Sequence, residues 1–255
     1  MISAYHRPGS LDEAIQLLAR RAPVTYPLGG GTVLTQPRPD SVEVVDLQAL
    51  GLNRIETRGN ELVIGATATL QAIMESSATS AELKEPLRRE APLNIRNMAT
   101  AAGTIVACDG RSPFVSALLA LDAKMEQSIF DHSSGETRLT NLGEYLPLRT
   151  KSLIIKLILP LQVKFAYAAV ARTPADKPIV SAALAQWPSG RTRLVIGGFG
   201  NSPSLAMDGT EADGLETAAR NACHEATDDW GSAEYRMDIA ARLTARCAQS
   251  IGALR

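Results

Sequence analysis

Aromatic residues are scarce: four phenylalanines, five tyrosines and two tryptophans make up 4% of 255 residues. So few rings leave little for nucleobases to stack on. Excess charge is missing too, since 26 Lys and Arg face 27 Asp and Glu and the net charge is −1. That removes the basic footprint of a nucleic-acid binder. The three cysteines, Cys108, Cys223 and Cys247, stand far apart with no CxxC pair, and no histidine is spaced with them for a metal site. Any iron–sulfur cluster must belong to another chain. No run of about 20 apolar residues occurs, and the opening MISAYHRPGSLDEAIQLLAR carries charges where a secretory signal would be apolar. The expectation is a soluble, cytoplasmic chain without a membrane span.

What the chain does have is glycine in one place. YPLGGGTVLT at 26–35 sets Gly29, Gly30 and Gly31 in succession between apolar residues. Glycine there permits φ > 0 and close approach of another group, and consecutive N–H groups in such a turn form an anion-binding concavity. Around it, Ser10 and Glu13 have capping-box spacing, and Leu11, Ala14, Ile15, Leu17 and Leu18 make one helical stripe. VTYPLGG and VEVVDL read as strands, so the first part is a small parallel α/β unit. ELVIGATATL reads as a strand, 70–90 as helical, and FVSALLALDAKME at 114–126 as a helix started by Ser112 and Pro113. KSLIIKLILP is a strand that Pro160 ends. Beyond it FAYAAVART, VSAALAQW and RLVIGGFG read as three strands, and 211–225 and 233–252 as helices.

The glycine loop matches neither of two common phosphate motifs. GxGxxG would need glycine where Leu34 stands, and a P-loop would need a lysine that does not come before Lys84. Taken alone, the triplet is equally a tight turn. A second segment, NIRNMATAAGTIVACDGRSPF at 94–114, reads as a long loop of small residues whose Ala99–Gly103 run offers further N–H groups. Two such loops can clamp one pyrophosphate.

At this point the sequence resembles a family, the FAD-binding medium subunits of molybdenum hydroxylases of the xanthine dehydrogenase and carbon monoxide dehydrogenase type. YHRPGSLDEAIQLLA, GGGTVL, IGATATL, NIRNMATAAGTI, SALLALDAKME, VARTPADKPIVSAALA and VIGGFGNSP resemble its segments in order. The resemblance implies an α+β chain with a two-subdomain FAD-binding fold of the vanillyl-alcohol-oxidase (PCMH) type. Its parts would be 1–55 (α/β) and 56–162, followed by a carboxy-terminal domain at 163–255 of three antiparallel strands and a helix bundle. It implies FAD held by Leu28, Gly29, Gly30, Gly31, Thr32 and Val33 of the first loop. Thr100, Ala101, Ala102, Gly103, Thr104, Ala107 and Asp109 would hold it from the second. It also implies partners, an iron–sulfur small subunit with two [2Fe–2S] clusters and a molybdopterin large subunit. Electrons would pass through the flavin to NAD⁺, oxygen or a quinone, and no acid–base residue of this chain would act on substrate.

Four positions depart from the family pattern. Its second loop reads Thr-x-Gly-Gly-Asn, whereas Ala102 and Thr104 stand here for the first glycine and the asparagine. If the position of Ala102 needs φ > 0, alanine strains the loop. Pro113 stands for an aspartate, with Asp109 nearby as a substitute, and Ala169 for a lysine. The departures at Ala102, Thr104 and Pro113 motivate a second reading, a flavin-free scaffold of the same fold, while a free-standing flavin oxidoreductase has no base to support it. Arg96 is expected to shape the second loop; His6, His132 and His224 are read as surface or turn residues, and Tyr167 and Trp187 as strand aromatics.

Overall fold

The computed structural model describes residues 1–36, 39–130 and 137–253. The chain runs β1 (Ile2–His6), α1 (Leu11–Leu18), β2 (Thr25–Leu28), β3 (Val42–Asp46), β4 (Ile55–Arg58), β5 (Glu61–Gly65), α2 (Leu70–Glu75) and α3 (Ala81–Glu90). Next come α4 (Leu93–Arg96), α5 (Ala101–Ala107), α6 (Pro113–Ala120), β6 (Lys124–Ile129), β7 (Thr137–Asn141), α7 (Leu142–Leu148) and β8 (Ser152–Pro160). It ends with β9 (Lys164–Val170), β10 (Val180–Gln186), β11 (Thr192–Gly197), β12 (Ser204–Gly209), α8 (Leu215–Ala222) and α9 (Ala233–Ile251). Contacts divide it into two compact units. The first is Met1–Ala78, Leu93–Ala107 and Lys124–Ile158; the second is Thr79–Pro92, Cys108–Ala123 and Leu159–Arg255. Residues 79–92 and 108–123, which the sequence placed in its middle part, thus group with the carboxy-terminal strands.

In the first unit β1, β3 and β2 form a parallel sheet in that order, as the strand–helix–strand reading requires. Helix α1 starts where Ser10 accepts the Glu13 N–H, while the Glu13 carboxylate reaches back to the Gly9 N–H at 2.9 Å. Its stripe of Ala14, Ile15, Leu17 and Leu18 is buried with Val45, Leu47 and Leu153. Burial of each large apolar side chain is worth roughly 1.5–3 kcal/mol. A second sheet has the order β4-β5-β8-β6-β7, with β6 antiparallel to both of its neighbours.

The expected helix over 114–126 is shorter than its sequence pattern. Pro113–Ala120 is helical, with Ser112 accepting the Val115 N–H and Pro113 in the first turn, and every one of its residues is buried. Asp122 then turns the chain at φ 54°, and Lys124–Ile129 is a strand. An all-apolar segment has no periodicity to mark its end, so the switch to period two at Lys124 was hidden.

In the second unit the sheet has four antiparallel strands, β12-β11-β10-β9, where three were expected. The added strand, SLAMDG, lacks the β-branched residues that signal one. Instead of a helix bundle, α8 and α9 pack as a pair on this sheet, burying Leu215, Ala219, Leu243 and Cys247 with Val180, Leu184, Leu194 and Ile196. Helix α6 is held at its start by Glu90, whose Oε2 accepts from Ser112 Oγ at 2.8 Å and the Phe114 N–H at 2.9 Å. Burial pushes the Glu90 carboxyl above its ordinary range despite those bonds.

A four-membered ion network closes the β11–β12 end. Asp208 accepts a forked pair from Arg191 at 2.9 and 2.8 Å and a bond from Arg193 at 2.6 Å, and Arg193 also meets Asp122 at 3.1 Å. The Arg191 fork holds the Asp208 carboxyl below its usual value. A lowered folded value means that its stabilisation is complete above the unfolded value, about 3.9, and disappears as pH falls through the folded one. The protein is therefore expected to lose more melting temperature than D208N between pH 5 and pH 3; parallel melting curves for the two would contradict this. Glu90 works in the opposite sense, so the difference between the two proteins isolates Asp208.

Candidate functional site

Strand β2 delivers the glycine loop, with Leu28 O accepting the Leu47 N–H at 3.1 Å. What lies so close to the loop is the backbone of the second segment. A Cβ on Gly30 would stand 1.6 Å from the Met98 carbonyl oxygen, and one on Gly29 2.7 Å from Thr100 Oγ1. Gly31 takes φ 71°, the left-handed region that side-chained residues avoid. Thr35 closes the turn, donating its N–H and hydroxyl to Gly31 O at 3.1 and 2.6 Å. Among the described residues no acceptor is found for the N–H groups of Gly30, Gly31, Thr32 and Val33.

The second segment is helical where a loop was expected. Ala101 to Thr104 are the first residues of α5, and Ala102 has no positive φ. Alanine at that position is therefore unstrained, which corrects the expectation drawn from the family pattern. Its donors are also taken. Ala101 N–H bonds Ala68 O at 2.9 Å, Ala102 N–H bonds Ala66 O at 3.1 Å, Gly103 N–H meets Thr100 Oγ1 at 3.2 Å, and Thr104 N–H bonds Thr100 O at 2.9 Å. Just before the helix the chain is stitched to the segment after β5 by the isolated bridge Thr69↔Thr100 and the bond from Leu70 N–H to Ala99 O.

Between these segments lies an open cleft, its lining entirely within the first unit. Of the residues named from the sequence, it brings together Gly29, Gly30, Gly31, Thr32, Val33, Thr100, Ala102, Gly103 and Ala107. Leu28, Ala101 and Thr104 adjoin it in the chain without lining it. Asp109 belongs to the second unit, where it pairs with Lys177 at 3.0 Å and accepts the Arg111 N–H at 2.9 Å. The cleft also takes in Tyr26 and Pro27 of β2, Ala66 and Thr67 after β5, and Ser152, Leu153 and Ile154 of β8. Small residues in IGATATL hinted at Ala66 and Thr67. Nothing in KSLIIKLILP singles out which end of that strand faces a ligand. Among the described residues no lysine or arginine lines the cleft, and what they offer an anion there is main-chain donors.

Other residues weighed from the sequence have structural partners. Arg96 Nε donates to Gln71 Oε1 at 3.0 Å, His6 pairs with Glu43 at 2.8 Å, and His224 is exposed in the turn after α8. Trp187 lies under the Arg191 guanidinium, 4.9 Å from its centroid. Burial pushes the Tyr167 hydroxyl and the thiols upward, Cys223 to about 11 and Cys247 to about 12. His132 lies outside the described residues. No helix among the described residues is long and apolar enough to cross a membrane.

Residues 1–162 match the family described as the FAD binding domain in molybdopterin dehydrogenase. Across 252 residues the chain is 29% identical to the uncharacterized protein YgfM of Escherichia coli K12, covering 96% of this chain and 95% of that one. Over 136 residues it is 32% identical to the carbon monoxide dehydrogenase medium chain of Afipia carboxidovorans, covering 48% and 45% of the two chains. Its fold is similar to a chain of carbon monoxide dehydrogenase from Hydrogenophaga pseudoflava, with TM-score 0.81, 19% identity and 99% and 98% of the chains covered. Quinoline 2-oxidoreductase from Pseudomonas putida 86 is similar over the same shares, with TM-score 0.76 and 22% identity.

Proposed function

The chain belongs to the family of FAD binding domains of molybdopterin dehydrogenases, and from that premise we propose that it is the flavin-carrying medium subunit of a molybdenum hydroxylase complex. The observation that carries this at residue level is the run of N–H groups from Gly30 to Val33 that have no acceptor among the described residues, on the wall of the cleft. A dinucleotide diphosphate needs such donors, and main-chain N–H groups in a turn supply them. The FAD diphosphate would lie on the first loop. The second segment, with its own donors occupied, would serve as the opposing wall, its small side chains at Ala102 and Gly103 leaving room. The chemistry supplied by the cofactor is electron relay: electrons from [2Fe–2S] clusters of a small subunit, released by oxidation at a molybdopterin large subunit, leave to NAD⁺, oxygen or a quinone. This chain binds and orients. A cytoplasmic setting and the two partner subunits are part of the same proposal.

The flavin-free reading rested on Ala102, Thr104 and Pro113. Ala102 is unstrained in a helix, Thr104 Oγ1 donates to Thr100 O at 2.9 Å, and Pro113 opens α6 in the second unit. The argument from strain at Ala102 is thereby removed. The test is the visible spectrum of purified protein, as isolated and after incubation with FAD and desalting. Flavin bands near about 370 and 450 nm that survive desalting are expected. A featureless trace in both samples would reject the cofactor assignment.

A further inference from the structure

Arg149 follows α7 with φ 42° and ψ 49°, a left-handed backbone that disfavours any side-chained residue. Its N–H caps the helix on Tyr145 O at 2.7 Å, a role that glycine usually fills. The side chain does what glycine cannot. Nη1 donates to the Val106 carbonyl at 2.9 Å, 43 positions back in the chain. Val106 and Ala107 line the cleft from α5, and Ser152, Leu153 and Ile154, a few residues beyond Arg149, line it from β8. One guanidinium thereby ties two walls of the same cleft. Helix α5 has only seven residues, too few to be stable without tertiary support. The Val106 carbonyl lies in its last turn, where a cation is favoured.

We infer that Arg149 is a positioning residue for the cofactor: its bond to Val106 O holds the end of α5 and the approach to β8 at the spacing a bound FAD requires. The inference rests on the FAD assignment above. The test compares wild type, R149G and R149K in FAD titrations followed by flavin fluorescence, with visible circular dichroism of the bound flavin and thermal melting. R149G removes the clamp and the backbone strain together, so its melting temperature is expected within about 2 °C of wild type. Its FAD affinity is expected to fall about tenfold, with an altered visible dichroism, and R149K, whose ammonium can still donate to the carbonyl, to recover most of the loss.

Wild-type affinity and dichroism in R149G would overturn the clamp. So would loss of cooperative unfolding in R149G, since Arg149 would then support the fold and not the cleft. A wild type that takes up no FAD would reject the cofactor assignment and this inference with it. That failure is distinguishable because it shows in the unmutated protein.

Discussion

Gly30→Ala is expected to abolish useful FAD binding, weakening it by roughly 100-fold or more. The added methyl would stand 1.6 Å from the Met98 carbonyl oxygen, and that oxygen belongs to backbone with little freedom to retreat. The N–H groups of Met98 and Ala99 both bond Ile95 O, at 2.9 and 2.7 Å, and Ala99 O is occupied by Leu70 N–H at 2.9 Å. The glycine loop must therefore move, taking with it the run of donors from Gly30 to Val33. Overpacking of this kind costs about 1–3 kcal/mol in stability, so the variant should fold but bind poorly. Gly9→Ala is the control, because nothing lies within 4 Å of a Cβ there. An FAD titration of the two variants checks the prediction. G30A that binds like G9A would mean that the approach of the two segments does not govern the site.

The second large effect is expected at Arg236, which is fully buried in the first turn of α9. Its guanidinium donates to the carbonyls of Ile179 at 3.2 Å, Gly231 at 3.1 Å and Gly198 at 3.4 Å, to Ala226 O, and to the Asp228 carboxylate at 2.7 Å. These acceptors come from three loops of the second unit: the one before β10, the one after β11, and the one joining α8 to α9. A single side chain satisfies all of them. Replacement by methionine preserves volume but leaves several buried oxygens without donors and Asp228 without its cation. The expected loss is about 3–5 kcal/mol, a drop in melting temperature of about 10 °C. Asp228→Asn, at a partly exposed carboxylate, should cost about 1 kcal/mol. Thermal melting of both variants is the measurement, and equal, small losses would show that the buried carbonyls do not depend on the guanidinium.

These two residues divide differently between sequence and structure. Gly30 was visible as the centre of a glycine triplet, but the reason for it was not. From the sequence the guest of that loop was a phosphate; in the fold, the atom that excludes a side chain is the carbonyl of Met98, 68 positions later. Arg236 sat in a stretch with an apolar stripe and a basic face, and only burial distinguishes it from the exposed arginines of the same helix.

Local order alone settled much of the rest. The capping box at Ser10, the proline that opens α6 and the stripe of α1 are contacts within one turn of helix, and their partners are a few residues away in the chain. Strands β2 and β3 were legible for the same reason. The family followed from ordered short segments, each spelled by neighbouring residues.

Tertiary structure decided what depends on distant partners. Whether Ala101 and Ala102 offer or consume their N–H groups is set by Ala68 and Ala66, which no local pattern announces. The end of α6 was invisible because its apolar run has no polar face to break off, and β12 because its residues carry no strand propensity of their own. The cleft joins pieces of β2, the chain after β5, α5 and β8, and such a surface exists only once those pieces are packed. The sequence determined the family and the elements whose signals are local; packing decided the remaining elements and which atoms stay free to bind.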